Sequence, residues 1–526
     1  MDKNIRLNDI EKVLKSRVEF DKYKTLKSLP KPDLFKDMQK ATKRIVQAIK
    51  KDEQIYIIGD YDVDGVVSTA ILIEFFNTLG VRVKSIIPNR FIHGYGLSPT
   101  IVETIDNGLV ITVDNGISAF EAAILCKEKG LDLVITDHHT VGDTLPIAYA
   151  IINPKQKDCH FPFKDICGAQ VAWYLCASIK KELNIEYNLG LFFDILALAI
   201  VADIMPMISL NQTMVRYGLS SLKTTQRVPI VVLRERYGLK NINEDDIGFK
   251  FAPLINCAGR MEDASLALNF LLSKDIKSAN KNLDILIELN EKRKQEQLNI
   301  FNEAKIQVDQ NDDVIVVSDP SWNEGIIGIV ASKLCEKYKK PSFVFTINND
   351  ISKASSRSIQ GIDLYNLILK SKDILIGFGG HKQAAGLSIQ TSKLDCLKKE
   401  LNKNILFLEK DISEDINDSL GVLSLDDVNE NIFNLIESYR PYGHSNPYPL
   451  FTFKNIKILN ITKMGKNKEF TKLIVTNDNS TIEVVIFNDF DSMIKIGDII
   501  SFIATVSKNE FRGNISYNLM LKEVIS

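Results

Sequence analysis

Short apolar runs recur along the first third of the chain, and each ends at polar or turn-forming residues. The runs are 55–58, 81–87, 108–113, 131–136 and 147–152. The segments between them carry the three- and four-residue apolar spacing of amphipathic helices, as in 66–79 and 168–179. Buried strands that alternate with helices are typical of βαβ units. The pattern therefore predicts an α/β domain built on a parallel sheet.

The apolar pattern changes twice further along the chain. Residues 262–307 are predicted to form one long helix, because their leucines fall on one face, and Val314 begins a second α/β unit. In that unit Gly380-His381 is predicted to form a turn before a helix that starts near Lys382. From about residue 450, short alternating runs are typical of a small β-barrel of the OB-fold type.

These changes divide the chain into several predicted parts. A length of 526 residues also favours three or four domains of about 150 residues each. The predicted parts are a basic helical segment (1–50), a first α/β domain (51–260), a connecting helix (261–310), a second α/β domain (311–405), a linker (406–449) and the barrel (450–526).

Composition adds limits rather than a function. Hydrophobic residues make up 45% and charged residues 25% of the chain, which is ordinary for globular protein. No run approaches the roughly 20 apolar residues of a membrane span, and Met1-Asp2-Lys3-Asn4 begins no signal core, so a cytoplasmic location is predicted. The seven cysteines are scattered without a CxxC pair, which favours reduced thiols over disulfides or a zinc ribbon.

The net charge of the chain does not indicate a nucleic-acid partner, but the charge is unevenly distributed along the sequence. The whole chain carries −2, whereas residues 1–50 hold fourteen Lys and Arg against seven Asp and Glu, a net +7. Such a segment is either a solvated lysine face or an arm that follows a phosphate backbone. Six lysines, at 454, 457, 463, 466, 468 and 472, also lie in the early part of the predicted barrel, whose groove suits single strands.

Carboxylates follow several of the predicted strands of the first domain. Asp60, Asp62 and Asp64 come after 55–58, and they would share one side if the backbone stayed extended up to Gly65. Asp114 follows the run 108–113, and Asp137, His138 and His139 follow 131–136; Asp203 ends the apolar helical run that begins near residue 190. Because ligands bind outside the carboxyl ends of parallel strands, we expect these groups to meet.

The chemistry of this set favours Mn²⁺ or Mg²⁺. Oxygen ligands suit these hard ions, whereas zinc prefers more His or Cys. Five acids allow one carboxylate to bridge two ions about 3.5 to 4 Å apart, an arrangement that serves in-line attack on phosphorus. Each of these short acidic segments taken alone is also compatible with a solvated turn. Only their common position at the ends of the strands favours a metal site.

The motifs themselves resemble a known family. Asp-Tyr-Asp-Val-Asp-Gly (60–65), Val-Asp-Asn-Gly (113–116), Asp-His-His (137–139) and Val-Ala-Asp-Ile-Met-Pro (201–206) resemble the four motifs of the DHH phosphoesterase superfamily. Asn-Cys-Ala-Gly-Arg (256–260), the Trp-Asn-Glu-Gly segment from Trp322, Ser-Ser-Arg-Ser (355–358) and the Gly-Gly-His segment (379–386) resemble its RecJ family of single-strand-specific exonucleases. The resemblance runs from about residue 30 to the end and implies DHH, DHHA1 and OB-fold domains.

The resemblance implies roles for the acids. Asp114 would bridge two ions, Asp62 would bind one of them, and Asp64, His138 and Asp203 would bind the other. Asp60 would either bind a metal ion itself or contact a residue that does. His139 would face the phosphate, and Asp137 would orient a histidine or the loop. Asp114 and His139 are thus the predicted catalytic residues.

The resemblance also implies a substrate and a direction. Arg90 and Tyr95 lie in a loop that composition leaves open as a plain turn, and the resemblance favours substrate contact there. Arg260, Ser355, Arg357 and His381 would hold a terminal 5′ phosphate. The implied activity is 5′-to-3′ hydrolysis of single-stranded DNA to 5′-mononucleotides in recombination and repair. Single-strand binding protein and a helicase are candidate partners.

Two other functions stay open at this point. A phosphodiesterase of short oligonucleotides or cyclic dinucleotides would share the catalytic domain and the Gly-Gly-His segment, but such chains typically lack a terminal barrel. A non-enzymatic nucleic-acid clamp on the same scaffold would be expected to have lost acids. One departure from the family pattern is Ser445, which stands where the second glycine of Gly-x-Gly-Asn-Pro is usual.

Overall fold

The computed structural model describes residues 4–18, 22–408, 419–465, 470–487, 494–511 and 513–525. The chain forms two compact units. The first contains Lys31–Asp203 and Ser220–Asp415, and the second contains Met1–Pro30, Ile204–Leu219 and Ile416–Ser526. Both predicted α/β domains therefore belong to one unit.

Strands and helices are numbered along the described residues. The strands are β1 Ile55–Ile58, β2 Val83–Ile86, β3 Leu109–Val113, β4 Asp132–Thr136, β5 Ala150–Ile152, β6 Ile315–Asp319, β7 Ser342–Asn348, β8 Ile351–Arg357, β9 Leu375–Gly380, β10 Ala384–Gln390, β11 Ser419–Val422, β12 Leu450–Met464, β13 Phe470–Thr476, β14 Thr481–Ile486, β15 Ile499–Phe511 and β16 Asn514–Val524. The helices are α1 Leu7–Val18, α2 Met38–Lys50, α3 Val63–Thr78, α4 Pro99–Glu103, α5 Phe120–Glu128, α6 Gly168–Glu182, α7 Phe193–Ala202, α8 Ser209–Thr224, α9 Val228–Tyr237, α10 Glu244–Asp246, α11 Ala252–Met261, α12 Ser265–Leu271, α13 Ile276–Gln307, α14 Ile327–Tyr338, α15 Leu364–Leu369, α16 Leu394–Asn404 and α17 Glu430–Ser438.

The first sheet of unit one is parallel, with strand order β2-β1-β3-β4-β5. Strands β1 and β3 are buried at every position, which explains their unbroken apolar sequence. The order reverses between β1 and β3, and this reversal is where open α/β sheets bind ligands. The predicted parallel-sheet domain is therefore confirmed, and its switch point lies beside Asp60 and Asp114.

The second sheet of unit one is mixed, with order β6-β7-β8-β10-β9. Only β6 and β7 run parallel. The helix predicted to start near Lys382 is wrong, because β10 begins at Ala384 and pairs with both β8 and β9. The alternating burial of β10 explains this outcome, since every second side chain enters the core.

The predicted single helix over 262–307 is also wrong. Helix α12 ends at Leu271, and α13 starts afresh at Ile276 and runs for 32 residues. Asp275 causes the new start, because its side chain accepts a hydrogen bond from the N–H of Ser278 at 2.9 Å. A long connecting helix remains, but it begins fourteen residues later than predicted.

The second unit contains a closed barrel in which β12, β13, β14, β16 and β15 pair in that order and β15 returns to β12. The stretch 406–449 was predicted as a linker, yet β11 pairs in parallel with β12. Ile432 and Ile436 of α17 are buried in the barrel core with Phe453. Apolar burial therefore makes residues 419–449 part of the barrel unit, whereas residues 406–408 belong to the first unit. Lys466 and Lys468 lie outside the described residues.

The basic segment 1–50 does not stay together either. Ile10 and Leu14 of α1 are buried in the core of the barrel unit. Helix α2 instead belongs to the first unit, where Thr42 and Ser178 join α2 to α6 through hydroxyl groups 2.8 Å apart. Among the described residues, none of the helices combines the length and apolarity that a bilayer crossing requires.

Ser445 occupies a conformation that favours glycine. Its φ is 64°, in the left-handed region that costs a residue with a side chain about 1 kcal/mol or more. The turn is fixed by backbone hydrogen bonds between Gly443 and Asn446 in both directions. We expect Ser445→Gly to raise the free energy of unfolding of the barrel unit by about 0.5 to 1 kcal/mol, because strain relief exceeds the added entropy of the unfolded chain. Urea denaturation checks this, and a lower midpoint for the variant would contradict it.

Candidate active site

The first acid motif is split by the start of helix α3. Asp62 caps this helix, and its Oδ1 accepts a hydrogen bond from the N–H of Gly65 at 3.1 Å. Asp64 therefore lies in the first helical turn, so the extended backbone that would place all three acids on one side ends at Asp62. Gly65 is required for a packing reason, because a Cβ there would lie 2.5 Å from the backbone of Asp60. Because the helix starts at Val63, Asp60 and Asp62 contribute to one group of potential ligands and Asp64 contributes to another.

Asp114 is held at the end of β3 in a left-handed conformation, with φ 62°. The buried side chain of Asn115 stabilises this turn, because its Nδ2 donates to the carbonyls of Ile58, Gly59 and Val113 at 2.8 to 3.0 Å. These bonds tie the ends of β1 and β3 together. The turn thereby fixes Asp114 opposite Asp60.

Three overlapping groups of potential metal ligands occur among the described residues, and within each group the ligand atoms lie within 4.8 Å of one another. Asp60, Asp62 and Asp114 form the first group, and Asp64, His138 and Asp203 form the second. Asp114 and His138 also form a third group with His139. His138 Nε2 lies 3.1 Å from Asp114 Oδ1, so Asp114 stands between the first two groups. Asp114 thus lies where the resemblance implies a shared ligand, and the metal-binding roles of these residues stay predictions.

The second group is supported by the start of helix α6. The N–H groups of Gly168 and Ala169 donate to the two oxygens of Asp64 at 2.5 and 2.8 Å. A Cβ at Gly168 would lie 2.5 Å from the Cβ of Asp114, so only glycine fits there. Backbone donors thus fix Asp64 in place and leave Asp114 room beside it.

The donor set fits divalent cations. Asp60 Oδ1, Asp114 Oδ1 and Asp203 Oδ2 are buried, and among the described residues they have no hydrogen-bond partner. Burial, with the neighbouring carboxylates, raises the pKa of Asp60 and Asp114 well above the usual range and that of Asp203 to about 9. Burial also lowers the pKa of His138 to about 4, which leaves its imidazole neutral for a metal. Cations at this place would satisfy all of these groups.

His139 has a different environment from His138. Burial alone would lower its pKa, but the hydrogen bond from its Nδ1 to Asp137 Oδ1 at 2.8 Å raises that pKa to about 9. The hydroxyl of Tyr95 lies 3.3 Å from His139 Nε2. Asp137 also accepts the backbone N–H of Ile117, His138 and His139. Asp137 therefore orients the loop, and His139 carries a positive charge at neutral pH.

A second feature is a cationic cleft of about 550 Å³ between the acid motif and the second sheet. Arg90, Arg260, Ser355 and Arg357 all line it. In the described chain none of the three arginines forms an ion pair with a carboxylate. Burial, and then the charge of Arg90, lowers the pKa of Arg260 to about 10. Like charges gathered in one cleft in this way indicate a site for an anion.

Tyr61 connects the cleft to the metal ligands. It stands between Asp60 and Asp62 and lines the cleft, and the guanidinium of Arg90 lies 4.1 Å from its ring centroid. Gly259 makes room for it, because a Cβ there would lie 2.4 Å from the Tyr61 carbonyl oxygen. The ring also meets that of Tyr95 edge-on at 6.0 Å.

We expect Tyr61→Leu to weaken the binding of 5′-phosphorylated single-stranded DNA about three- to tenfold. The physical reason is the loss of a cation–π contact of about 0.5 to 2 kcal/mol that positions Arg90. Fluorescence anisotropy in the presence of a metal chelator measures the dissociation constant of the DNA. Tyr61→Phe, which keeps the ring, is the control. Equal weakening by both variants would contradict a role for the ring.

The predicted substrate residues are thus divided among three places. The cleft collects Arg90, Arg260, Ser355 and Arg357, whereas Tyr95 lies beside His139. His381 is exposed in the turn between β9 and β10 and is not among the residues that line the cleft. Sequence reasoning gave no role to Tyr61, Asn115, Gly168 or Lys353. Tyr61 and Asn115 lie inside motifs that the sequence analysis had recognised, and this position in a motif could have indicated a role for them.

Family models match three parts of the chain. They describe the DHH family N-terminal domain at residues 54–200, the DHHA1 domain at 311–406 and the RecJ OB domain at 421–523. Together with the acid-lined switch point and the neighbouring cationic cleft, they define the class of this protein as a DHH-family protein.

Relatives identify the branch. The single-stranded-DNA-specific exonuclease RecJ of Bacillus subtilis is 34% identical over 94% of this chain and 64% of its own length, so this chain spans less than two thirds of that relative. RecJ of Haemophilus influenzae is 31% identical over 95% of this chain and 92% of its own length. The crystal structure of RecJ from Thermus thermophilus in complex with Mn²⁺ is 25% identical, with TM-score 0.84, and covers 99% of this chain and 76% of that one. The chain belongs to the RecJ family.

Proposed function

We propose that this chain is a metal-dependent exonuclease that hydrolyses single-stranded DNA from the 5′ end to 5′-mononucleotides. The observation that carries the proposal is the joining of two sites within one unit, the metal-ligand groups and the arginine cleft, through Tyr61 and Arg90. A cleft that binds the terminal phosphate fixes the position of the 5′ end of the DNA strand. The metal ligands then lie beside the next phosphodiester bond.

The chain's own groups have distinct tasks in this proposal. Asp60, Asp62 and Asp114 would hold one Mn²⁺ or Mg²⁺ ion, and Asp64, His138 and Asp203 would hold a second with Asp114 shared. Bound divalent ions supply a water nucleophile at neutral pH and neutralise charge on the phosphate.

Four further residues would act on the phosphates directly. His139, positively charged and oriented by Asp137 and Tyr95, would donate to a non-bridging oxygen of the scissile phosphate. Arg260, Ser355 and Arg357 would bind the end phosphate, because guanidinium groups pair well with phosphate oxygens.

The small-substrate phosphodiesterase is the weaker candidate. The named relatives act on single-stranded DNA, and the barrel unit at residues 421–523 matches the RecJ OB domain. The family relationship also supports a role in recombination and repair in the cytoplasm, with single-strand binding protein and a helicase as partners. A pull-down from lysate with the purified chain tests these partners, and recovery of neither protein would remove them from the proposal.

The test uses purified protein, Mn²⁺ and an oligonucleotide blocked at either its 5′ or its 3′ end. We expect mononucleotides from the 3′-blocked strand only, and none from duplex. Asp114→Ala should be inactive, and Asp158→Ala, whose side chain is 73% exposed, is the matched control that should remain active. Survival of both long strands while dinucleotides disappear would replace the proposal with the small-substrate phosphodiesterase.

A further inference from the structure

One ion pair inside the arginine cleft has no role in the proposed hydrolysis. Lys353 lies on β8 two residues before Ser355 and four before Arg357, so the three side chains stand on one face of that strand. Its Nζ is 3.2 Å from both carboxylate oxygens of Glu324, and both residues line the cleft. The side chains are partly exposed, at 52% and 36%. Glu324 thus places a negative charge within a site built from cations.

The pair determines how many cations face a bound end group. Arg90, Arg260 and Arg357 have no carboxylate partner in the described chain, whereas the charge of Lys353 is neutralised by Glu324. The cleft therefore offers three unpaired cations rather than four. A terminal monophosphate carries close to two negative charges at neutral pH, and a triphosphate adds two further charged phosphoryl groups.

Space is available for a larger end group. Gly386 pairs with Ser355 on one side and with Gly379 on the other, so a row across three strands carries almost no side chain. A Cβ at Gly377 or Gly379 would meet nothing within 4 Å, and both glycines line the cleft. Volume therefore does not exclude a larger end group.

We propose that Glu324 is a specificity-determining residue that withholds Lys353 from the substrate and so restricts the cleft to 5′-monophosphate ends over 5′-triphosphate ends. The inference rests on the proposed function, because it takes the cleft as the site of the terminal phosphate. Removing the Glu324 charge frees Lys353 and supplies the fourth cation that a triphosphate needs. Removing Lys353 leaves Glu324 unpaired, where it repels any phosphate.

The test measures the dissociation constants of single-stranded oligonucleotides with 5′-hydroxyl, 5′-monophosphate and 5′-triphosphate ends, by anisotropy in chelator so that nothing is cut. We expect wild type to favour monophosphate over triphosphate, and Glu324→Gln to tighten triphosphate binding about tenfold while changing monophosphate binding less than threefold. Lys353→Met should weaken both phosphorylated ends, and the double variant should recover monophosphate binding. Glu336→Gln, an exposed acid on α14, is the matched control.

The outcomes separate the inference from the proposed function. An unchanged triphosphate-to-monophosphate ratio in Glu324→Gln, or a double variant no better than Lys353→Met, overturns the inference alone. Absence of any wild-type preference for a phosphorylated over a hydroxyl end overturns both, because the cleft is then not the site of the terminal phosphate.

Discussion

Asp114→Asn is expected to lower the rate of single-stranded DNA hydrolysis about a thousandfold. Asp114 lies between the two ligand groups, with its Oδ1 buried and 3.1 Å from His138 Nε2. An amide of the same shape cannot bridge two cations, and the loss of metal-based charge stabilisation of several kcal/mol corresponds to about three orders of magnitude.

The same variant separates a metal role from a folding role. In chelator we expect it to melt no lower than wild type, because burial and the neighbouring carboxylates already disfavour the charged form of Asp114 when no metal is bound. With Mn²⁺, wild type should gain thermal stability that the variant largely lacks, since ligand binding stabilises only the folded state that binds it. Thermal melts and single-turnover assays check both parts. A variant that retains full activity, or that loses its fold without metal, would contradict the assignment.

Arg260→Gln is the second change with a large expected effect. We expect kcat/KM for 5′-phosphorylated single-stranded DNA to fall about a hundredfold, while 5′-hydroxyl DNA is cut at close to its wild-type rate. Arg260 is partly buried where it lines the cleft, and the loss of a charge-assisted contact to phosphate costs about 2 to 4 kcal/mol.

The comparison of the two DNA ends makes this prediction specific. A general defect in folding or metal binding would lower the rates for both ends together. Arg236→Gln is the control, because Arg236 pairs with Asp284 at 2.7 Å on the surface and does not line the cleft. Equal losses on phosphorylated and hydroxyl ends would show that Arg260 does not read the terminal phosphate.

Local sequence was sufficient for the sheet and for the acids. Strands β1, β3 and β4 are short, largely buried runs, and an acid follows each of them within two residues, so the rule for parallel sheets places these acids at one edge. The barrel followed from alternation in 450–526. These features depend on neighbours along the chain, which a sequence displays directly.

The features that sequence did not predict depend on contacts between distant residues. Gly168 accommodates Asp114 and supports Asp64, although 54 and 104 positions separate them. Residues 419–449 look like a linker until β11 pairs with β12. The helix start at Val63 is supported by Asn256, whose Oδ1 accepts the N–H of Val63 at 3.1 Å, and this start sorts the acids into two groups. Each case needed a tertiary partner that local pattern does not reveal.

The measurement that tests the central claim most directly is anomalous diffraction from crystals grown with Mn²⁺. We predict two anomalous peaks about 3.5 to 4 Å apart, one bound by Asp60, Asp62 and Asp114 and the other by Asp64, His138 and Asp203, with Asp114 touching both. A single peak, or peaks bound by Asp137 in place of Asp114, would contradict the two-ion centre on which the proposed hydrolysis depends.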